Sequence, residues 1–311
     1  MSSLELFLAA AIVAGTPILF ATLGEIITEK SGNLNLGVEG MMLMGAIIGF
    51  TTGLKTANPV LALFAAMVAG AAGAAIYAFL TITLRTNQEV TGLTLTIFGT
   101  GFSNFVGKGF VGQVAPENLQ QFFSKVEIPL LSNIPFLGNI FFKQDIFVYI
   151  GYILTLVLGI YLYNTSKGLN LKAVGENPAA ADAASINITL YKYVHVIVGG
   201  ALCGLGGAYL SLVNVPTWQE GVTAGRGWIA IALVIFSTWN PYKALLGAFL
   251  FGGLEIIGFR LQGTSIQISQ YLIDMLPYLV TILVLVFASL KKSRKNSGPK
   301  ALGGAYFREE R

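Results

Sequence analysis

Residues 59–84 read PVLALFAAMVAGAAGAAIYAFLTITL, a run of 26 positions without one charged side chain. A helix needs about twenty apolar residues to cross the hydrocarbon core of a bilayer. Inside that core the backbone has no water to pair with, so its N–H and C=O groups must pair within the segment. That condition selects a helix over an open strand. Glycine and alanine through the middle of the run let neighbouring helices approach closely. The stretch predicts a transmembrane helix.

The same reading extends outward along most of the 311-residue chain. Only 11% of residues are charged, against roughly 25% in an ordinary soluble domain. A soluble core of this size would need a polar surface that so little charge cannot supply. The 37 glycines sit inside apolar runs and lack the every-third pattern of collagen. Candidate spans fall at residues 4–27, 38–53, 59–84, 90–106, 146–163, 191–213, 228–238, 242–259 and 272–290. The expectation is an all-α, polytopic transmembrane helical bundle of about nine spans. The run 228–238 is too short to cross alone. It either begins nearer Ala224 or forms half of a broken helix, which leaves eight or ten as alternative counts.

The apolar N-terminal run has no basic segment before it and no small-residue cleavage site after it. It reads as a retained span rather than a cleaved signal. Orientation follows from Lys and Arg, which accumulate on the cytoplasmic side. With nine spans and the N-terminus outside, thirteen of the basic residues lie inside and six outside. The cluster KKSRK directly after the last span weighs most. The chain thus divides into a transmembrane domain, 1–290, and a cytoplasmic basic tail, 291–311. Two long connections interrupt the spans, an outer one at 107–145 and an inner one at 164–190. A polar, glycine-bearing loop leads into an apolar helix at GNLNLGVEGMMLMGAI and again at EGVTAGRGWIAIALVIF. In this topology the two helices run in opposite directions, the pattern of inverted repeats in transporters.

Four groups of residues are candidates for function. The first is EIITEKSGNLNLGVE, Glu25 to Glu39, where Asn33 and Asn35 lie between Gly32 and Gly37. It reads either as an interrupted helix lining or gating a pathway, or as an ordinary loop before a capped helix. Glu25 and Glu39 would then make structural hydrogen bonds. The second is WQEGVTAGRGW, where Trp218 and Trp228 bracket Glu220 and Arg226. Tryptophan marks membrane interfaces; the alternative is an external rim whose aromatic faces receive a flat solute. Polar residues within spans form the third group, Thr94, Thr96, Thr100, Asn104, Glu255 and Gln262 among them. Threonine can bond its own helix backbone, so most of these read as structural. Glu255 is more informative, because a carboxylate facing lipid is costly and should face the protein interior or a wet cavity. His195 and Cys203 read as packed or locally hydrogen-bonded. The fourth group is the inner connection, GLNLKAVGENPAAADAASI. Asn177 is placed to cap a short helix opened by Pro178, with Asp182 near its start. That helix could seat in another protein or lie as a surface loop.

Several chemistries are missing. There is no GxxxxGK[ST] phosphate loop, no HExxH, no GxSxG and no CxxC pair. One cysteine and one histidine make no Cys/His metal cluster, and no basic domain points to nucleic acid. The chain is expected to bind no cofactor and to catalyse no reaction itself.

ITEKSGNLNLGVEGMMLMGA and LKAVGENPAAADAASI resemble the permease subunits of bacterial ABC importers, in the group that serves branched-chain amino acids, simple sugars and nucleosides. The resemblance covers roughly residues 4–290. SGNLNLGVEG is most similar to the nucleoside branch; sugar permeases of the wider family carry a glycine-Asp-Leu-Ser pattern where this chain has Asn33, Leu34 and Asn35. The chain also lacks the extra N-terminal helix of many sugar permeases, in keeping with an external N-terminus.

The resemblance implies a multi-pass protein of the bacterial cell membrane that moves nucleosides inward. The alternatives are a permease for a simple sugar or branched-chain amino acid, and an ion-coupled secondary carrier. The implied partners are a second permease, different but homologous, an ATPase with two nucleotide-binding domains that holds ATP and Mg, and an extracellular substrate-binding lipoprotein. It makes Lys172, Gly175, Glu176, Asn177, Pro178 and Asp182 the ATPase-coupling element. The pathway or gate candidates are Asn33, Asn35, Glu39, Asn104, Trp218, Arg226, Trp228 and Glu255.

Overall fold

Asparagine and aspartate set where many of the helices begin. Asn58 Oδ1 accepts from Leu61 N at 3.1 Å, Asn87 Oδ1 from Val90 N at 2.9 Å, and Asn187 Oδ1 from Leu190 N at 2.9 Å. Asp145 Oδ1 accepts from Phe147 N and Val148 N. Each side chain satisfies backbone donors that have no partner within the helix. Ser2 and Glu5 bond each other's backbone N–H reciprocally at the head of the first helix, the capping-box arrangement.

The structure is a computed structural model that describes residues 2–262, 272, 275–276, 278–283, 286 and 298–308. In chain order its helices are α1 (Ser3–Lys30), α2 (Val38–Thr56), α3 (Pro59–Ala78), α4 (Gln88–Gly107), α5 (Glu117–Phe122), α6 (Leu137–Phe141), α7 (Ile146–Asn164), α8 (Ser166–Glu176), α9 (Pro178–Ala183), α10 (Ile188–Tyr209), α11 (Arg226–Phe236) and α12 (Pro241–Gln262). Helices α3 and α10 each end in a π-helical turn, Phe79–Thr83 and Leu210–Asn214. Two short strands, β1 (Lys125–Glu127) and β2 (Lys143–Asp145), pair antiparallel with Val126 opposite Gln144.

The chain is a helical membrane bundle. Among the described residues, Ser3–Lys30, Pro59–Thr83, Ile146–Asn164 and Ile188–Asn214 are long and apolar enough to cross a membrane. The expected spans at 38–53, 90–106 and 242–259 are also helical, as α2, α4 and α12. The expected span at 228–238 is α11, an apolar helix of 11 residues. At ~1.5 Å per residue that is about half of a ~30 Å core. Of the last expected span, 272–290, the described residues 272, 275–276, 278–283 and 286 are helical, and the KKSRK cluster lies outside the described residues.

Helix α10 lies at the centre, against α1, α2 and α3, and α12 packs on α1. These helices approach through small residues. A Cβ on Gly45 of α2 would collide with the backbone of Gly204 on α10, and one on Gly24 of α1 would collide with Gly199. With lipid outside as apolar as the core, close packing of this kind takes the place of the hydrophobic drive between helices.

The segments outside the long helices gather at two ends. At one end the 107–145 region folds over the helix tips. It carries two helices and the β1–β2 pair, where the sequence suggested only a long outer connection. Gly112 N donates to Trp218 O and Trp218 N to Gln113 O, both at 3.0 Å. Asn118 Nδ2 donates to Ala57 O at 2.6 Å, and Leu119 and Phe123 are buried in the main core. At the other end lie the 31–37 segment, α8, α9 and residues 298–308. Ala301 N donates to Gly175 O at 3.0 Å, and Gly303 N to Gly32 O at 3.3 Å. The described part of the basic tail is therefore docked on the bundle.

Candidate translocation and coupling sites

Between α1 and α2 the chain turns at Gly32, whose φ of +86° is a conformation few side chains tolerate. It then re-enters the bundle. Asn35 N donates to Glu25 Oε1 at 3.1 Å, and its side-chain amide donates to the other carboxylate oxygen at 3.4 Å. Glu25 lies five residues before Lys30, so the chain has climbed back by ~7 Å along α1. Asn35 Oδ1 accepts from Gly37 N at 2.9 Å. Neighbouring helices serve the remaining backbone groups: Leu34 N donates to Gln88 Oε1 at 2.7 Å, Tyr77 OH donates to Leu34 O at 2.6 Å, and Thr96 Oγ1 donates to Leu36 O at 2.9 Å. Asn33 is fully buried, and both polar atoms of its amide lack a partner among the described residues.

Glu39 sits in the first turn of α2. Its carboxylate accepts from Thr223 Oγ1 at 2.6 Å, Gly225 N at 2.9 Å and Gly227 N at 2.6 Å. Those donors form the N-terminal turn of α11. The two helices leave this point in opposite directions: α2 ends beside Asn118, and the turn after α11 brings Trp239 Nε1 to Glu29 Oε2 at 2.5 Å. A carboxylate between two helix N-termini faces the positive ends of both dipoles. Beside it, Arg226 pairs with Glu255 of α12 and donates to Thr223 O at 3.2 Å. Arg226 Nε is buried without a partner among the described residues. Glu255 is partly buried in this pair.

The structure brings Glu39, Arg226 and Glu255 together and sets Asn33 and Asn35 in the turn leading to them. It separates the others. Asn104 is half-buried on α4, with Oδ1 unpaired among the described residues. Trp228 packs half-buried against the main core. Trp218 is 0% exposed, with its ring centroid 6.0 Å from that of Phe50. Neither an external rim nor the membrane interface describes Trp218, because the strand-like bridge of 112–115 with 216–218 closes over it. Sequence reasoning missed Thr223, Gln88, Tyr77, Glu29 and Trp239. The spaced glycines Gly225 and Gly227 opening a helix were the available signal for a carboxylate acceptor nearby.

His195 and Cys203 are buried, as expected. Tyr161 OH and Tyr191 O lie 2.7 and 2.6 Å from the two His195 ring nitrogens, and Cys203 is buried within α10 against α1.

The 164–190 connection contains two helices where the sequence suggested one short helix in a loop. Thr165 caps α8 through Gly168 N at 3.0 Å, and LNLKAVGE supplies enough good helix formers to continue it. Asn177 caps α9 through Ala180 N at 3.0 Å with Pro178 in its first turn. Glu176, Asn177, Ala180 and Ala183 are exposed, whereas Gly175 is buried under the tail. Lys172 Nζ lies 4.2 Å from the Tyr163 ring centroid, and burial pushes its ammonium pKa down. Asp182 Oδ2 accepts from Tyr306 OH at 3.0 Å and pairs with Arg308 at 3.1 Å.

The fold is thus a helical membrane bundle with a carboxylate-capped helix start inside and a capped helix pair at one end. The chain belongs to the family described as branched-chain amino acid transport system / permease component, whose sequence pattern it matches over residues 7–285. As a permease component it is not itself an enzyme. A permease protein of Haloferax volcanii named for glucose ABC transport is 38% identical, over 96% of this chain and 97% of its own. The nucleoside ABC transporter permease protein NupC of Lactococcus lactis is 32% identical over 100% and 99%, and the guanosine ABC transporter permease protein NupQ of Bacillus subtilis is 34% identical over 99% and 98%. The fold is similar to that of a metal-chelate type ABC transporter in an inward-facing conformation, with a TM-score of 0.51 at 13% identity, covering 93% of this chain and 85% of that one.

Proposed function

We propose that this chain is the permease subunit of an ATP-driven importer that moves nucleosides into the cell. The observation that carries the reading is the end-to-end similarity to permeases named for nucleoside and guanosine transport. The relative named for glucose favours a second reading, a simple-sugar importer. Ribose hydroxyls and sugar hydroxyls present similar chemistry, so the base distinguishes the two cargoes.

In this reading residues 1–290 form the transmembrane domain, with nine spans, the N-terminus outside and the 291–311 tail in the cytoplasm. The excess of Lys and Arg on the α8–α9 side supports that orientation. The opposed α2 and α11, diverging from Glu39, support inverted repeats built on broken helices. The partners are a homologous second permease, an ATPase with two nucleotide-binding domains and an external binding lipoprotein. ATP and Mg belong to the ATPase, and this chain binds no cofactor.

The exposed α9, with Glu176 and Asn177 before it, docks on the ATPase. Nucleotide binding there shifts the permease pair between outward and inward openings, and the work comes from the difference in ATP affinity between those states. Glu39, Arg226 and Glu255 hold the point from which the two broken helices move, and Asn33, Asn35 and Asn104 offer polar groups along the path. External capture supplies selectivity, so the path itself binds cargo weakly.

Isothermal titration of the partner binding protein tests the cargo. A nucleoside binding more tightly than glucose, ribose or leucine supports the proposal. The reverse order rejects it.

A further inference from the structure

A polar cavity of about 520 Å³ opens at the α8–α9 end, away from Glu39. It lies between the end of α3, the turn from α9 into α10, and the docked tail. Arg85, Lys192 and Arg308 all line it, with Asp182 as the acidic member. Lys192 is 4% exposed and has no hydrogen bond or ion pair among the described residues. The residue is buried except where it lines the cavity, and a cation so enclosed is normally paired. The other two cations are already held in place. The Arg85 guanidinium lies 4.6 Å from the Phe307 ring centroid, and Arg308 pairs with Asp182 at 3.1 Å.

The first turn of α10 opens on the same cavity, through Asn187, Ile188 and Thr189. Asn187 caps Leu190 N, which leaves the first N–H groups of α10 without an intrahelical acceptor. A helix N-terminus of 22 residues adds positive potential there. Three cations against one carboxylate, together with this helix end, suit an anion that accepts hydrogen bonds from several directions. A phosphate group does so with three oxygens, whereas a planar carboxylate offers two. The volume lies within the ~300–1,000 Å³ range of small-molecule sites, so it accommodates an ester attached to the phosphate.

We propose that this cavity binds a phosphate ester, and that the bound phosphate fastens the tail to α9 and α10. Its source is either the headgroup of an acidic phospholipid or a free phosphorylated metabolite. The inference concerns this cavity alone and stands whatever cargo the chain carries.

The test uses the purified, delipidated full-length chain and three probes. These are inorganic phosphate, adenosine monophosphate, and phosphatidylglycerol in phosphatidylcholine nanodiscs. Saturable binding is followed by phosphorus NMR and by thermal stability. Binding of either soluble probe identifies a free metabolite; retention of phosphatidylglycerol alone identifies a lipid. In either case Lys192→Met and Arg308→Gln weaken binding by about tenfold, the loss of one charge-assisted contact. Arg308 is largely exposed, so its variant keeps the test valid if the Lys192 variant fails to fold. The proposal is overturned if no probe binds saturably, if both variants bind as the parent does, or if carbodiimide cross-links Lys192 to a carboxylate of the reconstituted ATPase, which would make the occupant an acidic partner side chain.

Discussion

Glu39 Oε2 accepts a hydrogen bond from Gly227 N at 2.6 Å, so a side chain of α2 caps the start of α11 across 188 residues of sequence. The N-termini of α2 and α11 are thereby tied to each other.

Replacing Glu39 removes three hydrogen bonds to a charged group at once. Such bonds contribute about 1.5–3 kcal/mol each, and their losses overlap because the donors share one carboxylate. Glu39→Ala is expected to lower the melting temperature of the solubilised protein by several degrees, with Glu39→Gln in between because one acceptor oxygen remains. Fluorescence-detected size exclusion after heating reads this. Equal melting of all three proteins would contradict the capping role.

Arg226 and Glu255 are expected to behave as a unit. The pair is partly buried, so removing one member leaves a poorly solvated charge, at a cost below the ~3–5 kcal/mol of a fully buried pair, whereas an apolar pair of similar volume is often neutral. Arg226→Met and Glu255→Leu should each reduce the folded yield in membranes, and the double variant should recover most of it. A double variant as poor as the worse single one would show that the charges do more than neutralise each other.

Two glycines should respond in opposite ways. Gly45 faces the Gly204 backbone, whereas a Cβ at Gly101 on α4 would meet nothing within 4 Å. Gly45→Val is expected to block stable insertion and Gly101→Ala to leave it unchanged, as measured by membrane-fraction yield and size exclusion. An insertion-competent Gly45→Val protein would mean that α2 and α10 can pack further apart.

Asp145 couples stability to pH. Burial raises its carboxyl pKa above the usual range, against the lowering effect of its hydrogen bonds with Val148 N, Phe147 N and Tyr209 OH. With the folded value raised, its favourable contribution is present below the unfolded value of about 3.9 and is lost as pH rises through the folded one. Asn caps a helix as well as Asp does. Asp145→Asn should therefore match the parent near pH 4 and exceed it near pH 8 in thermal stability. Loss of stability at pH 8 alone would reverse the sign.

How much of this was legible varies with the physics involved. The run 59–84 reads as a membrane helix because its lack of charge is a local property, and α11 reads as short for the same reason. The cap at Asn177 and the turn at Pro178 depend on adjacent residues and are equally legible. The burial of Trp218 was not, because an amphipathic ring suits an interface and a core alike, and only the distant 112–115 segment decides between them. The Glu39 contacts and the isolation of Lys192 depend on elements far apart in sequence, so nothing near either residue announces them. The 107–145 region escaped because its helices are only five and six residues long, too short to show a period.

Uptake in proteoliposomes tests the central claim most directly. The chain is reconstituted with the proposed partner permease, ATPase and binding protein, and labelled nucleoside and labelled glucose are offered separately with ATP inside. The account predicts ATP-dependent accumulation of the nucleoside, little of glucose, and loss of the nucleoside signal when Glu176 and Asn177 on the exposed turn are both replaced by alanine. Accumulation of glucose in preference to the nucleoside, or nucleoside uptake that persists without ATP, would contradict it.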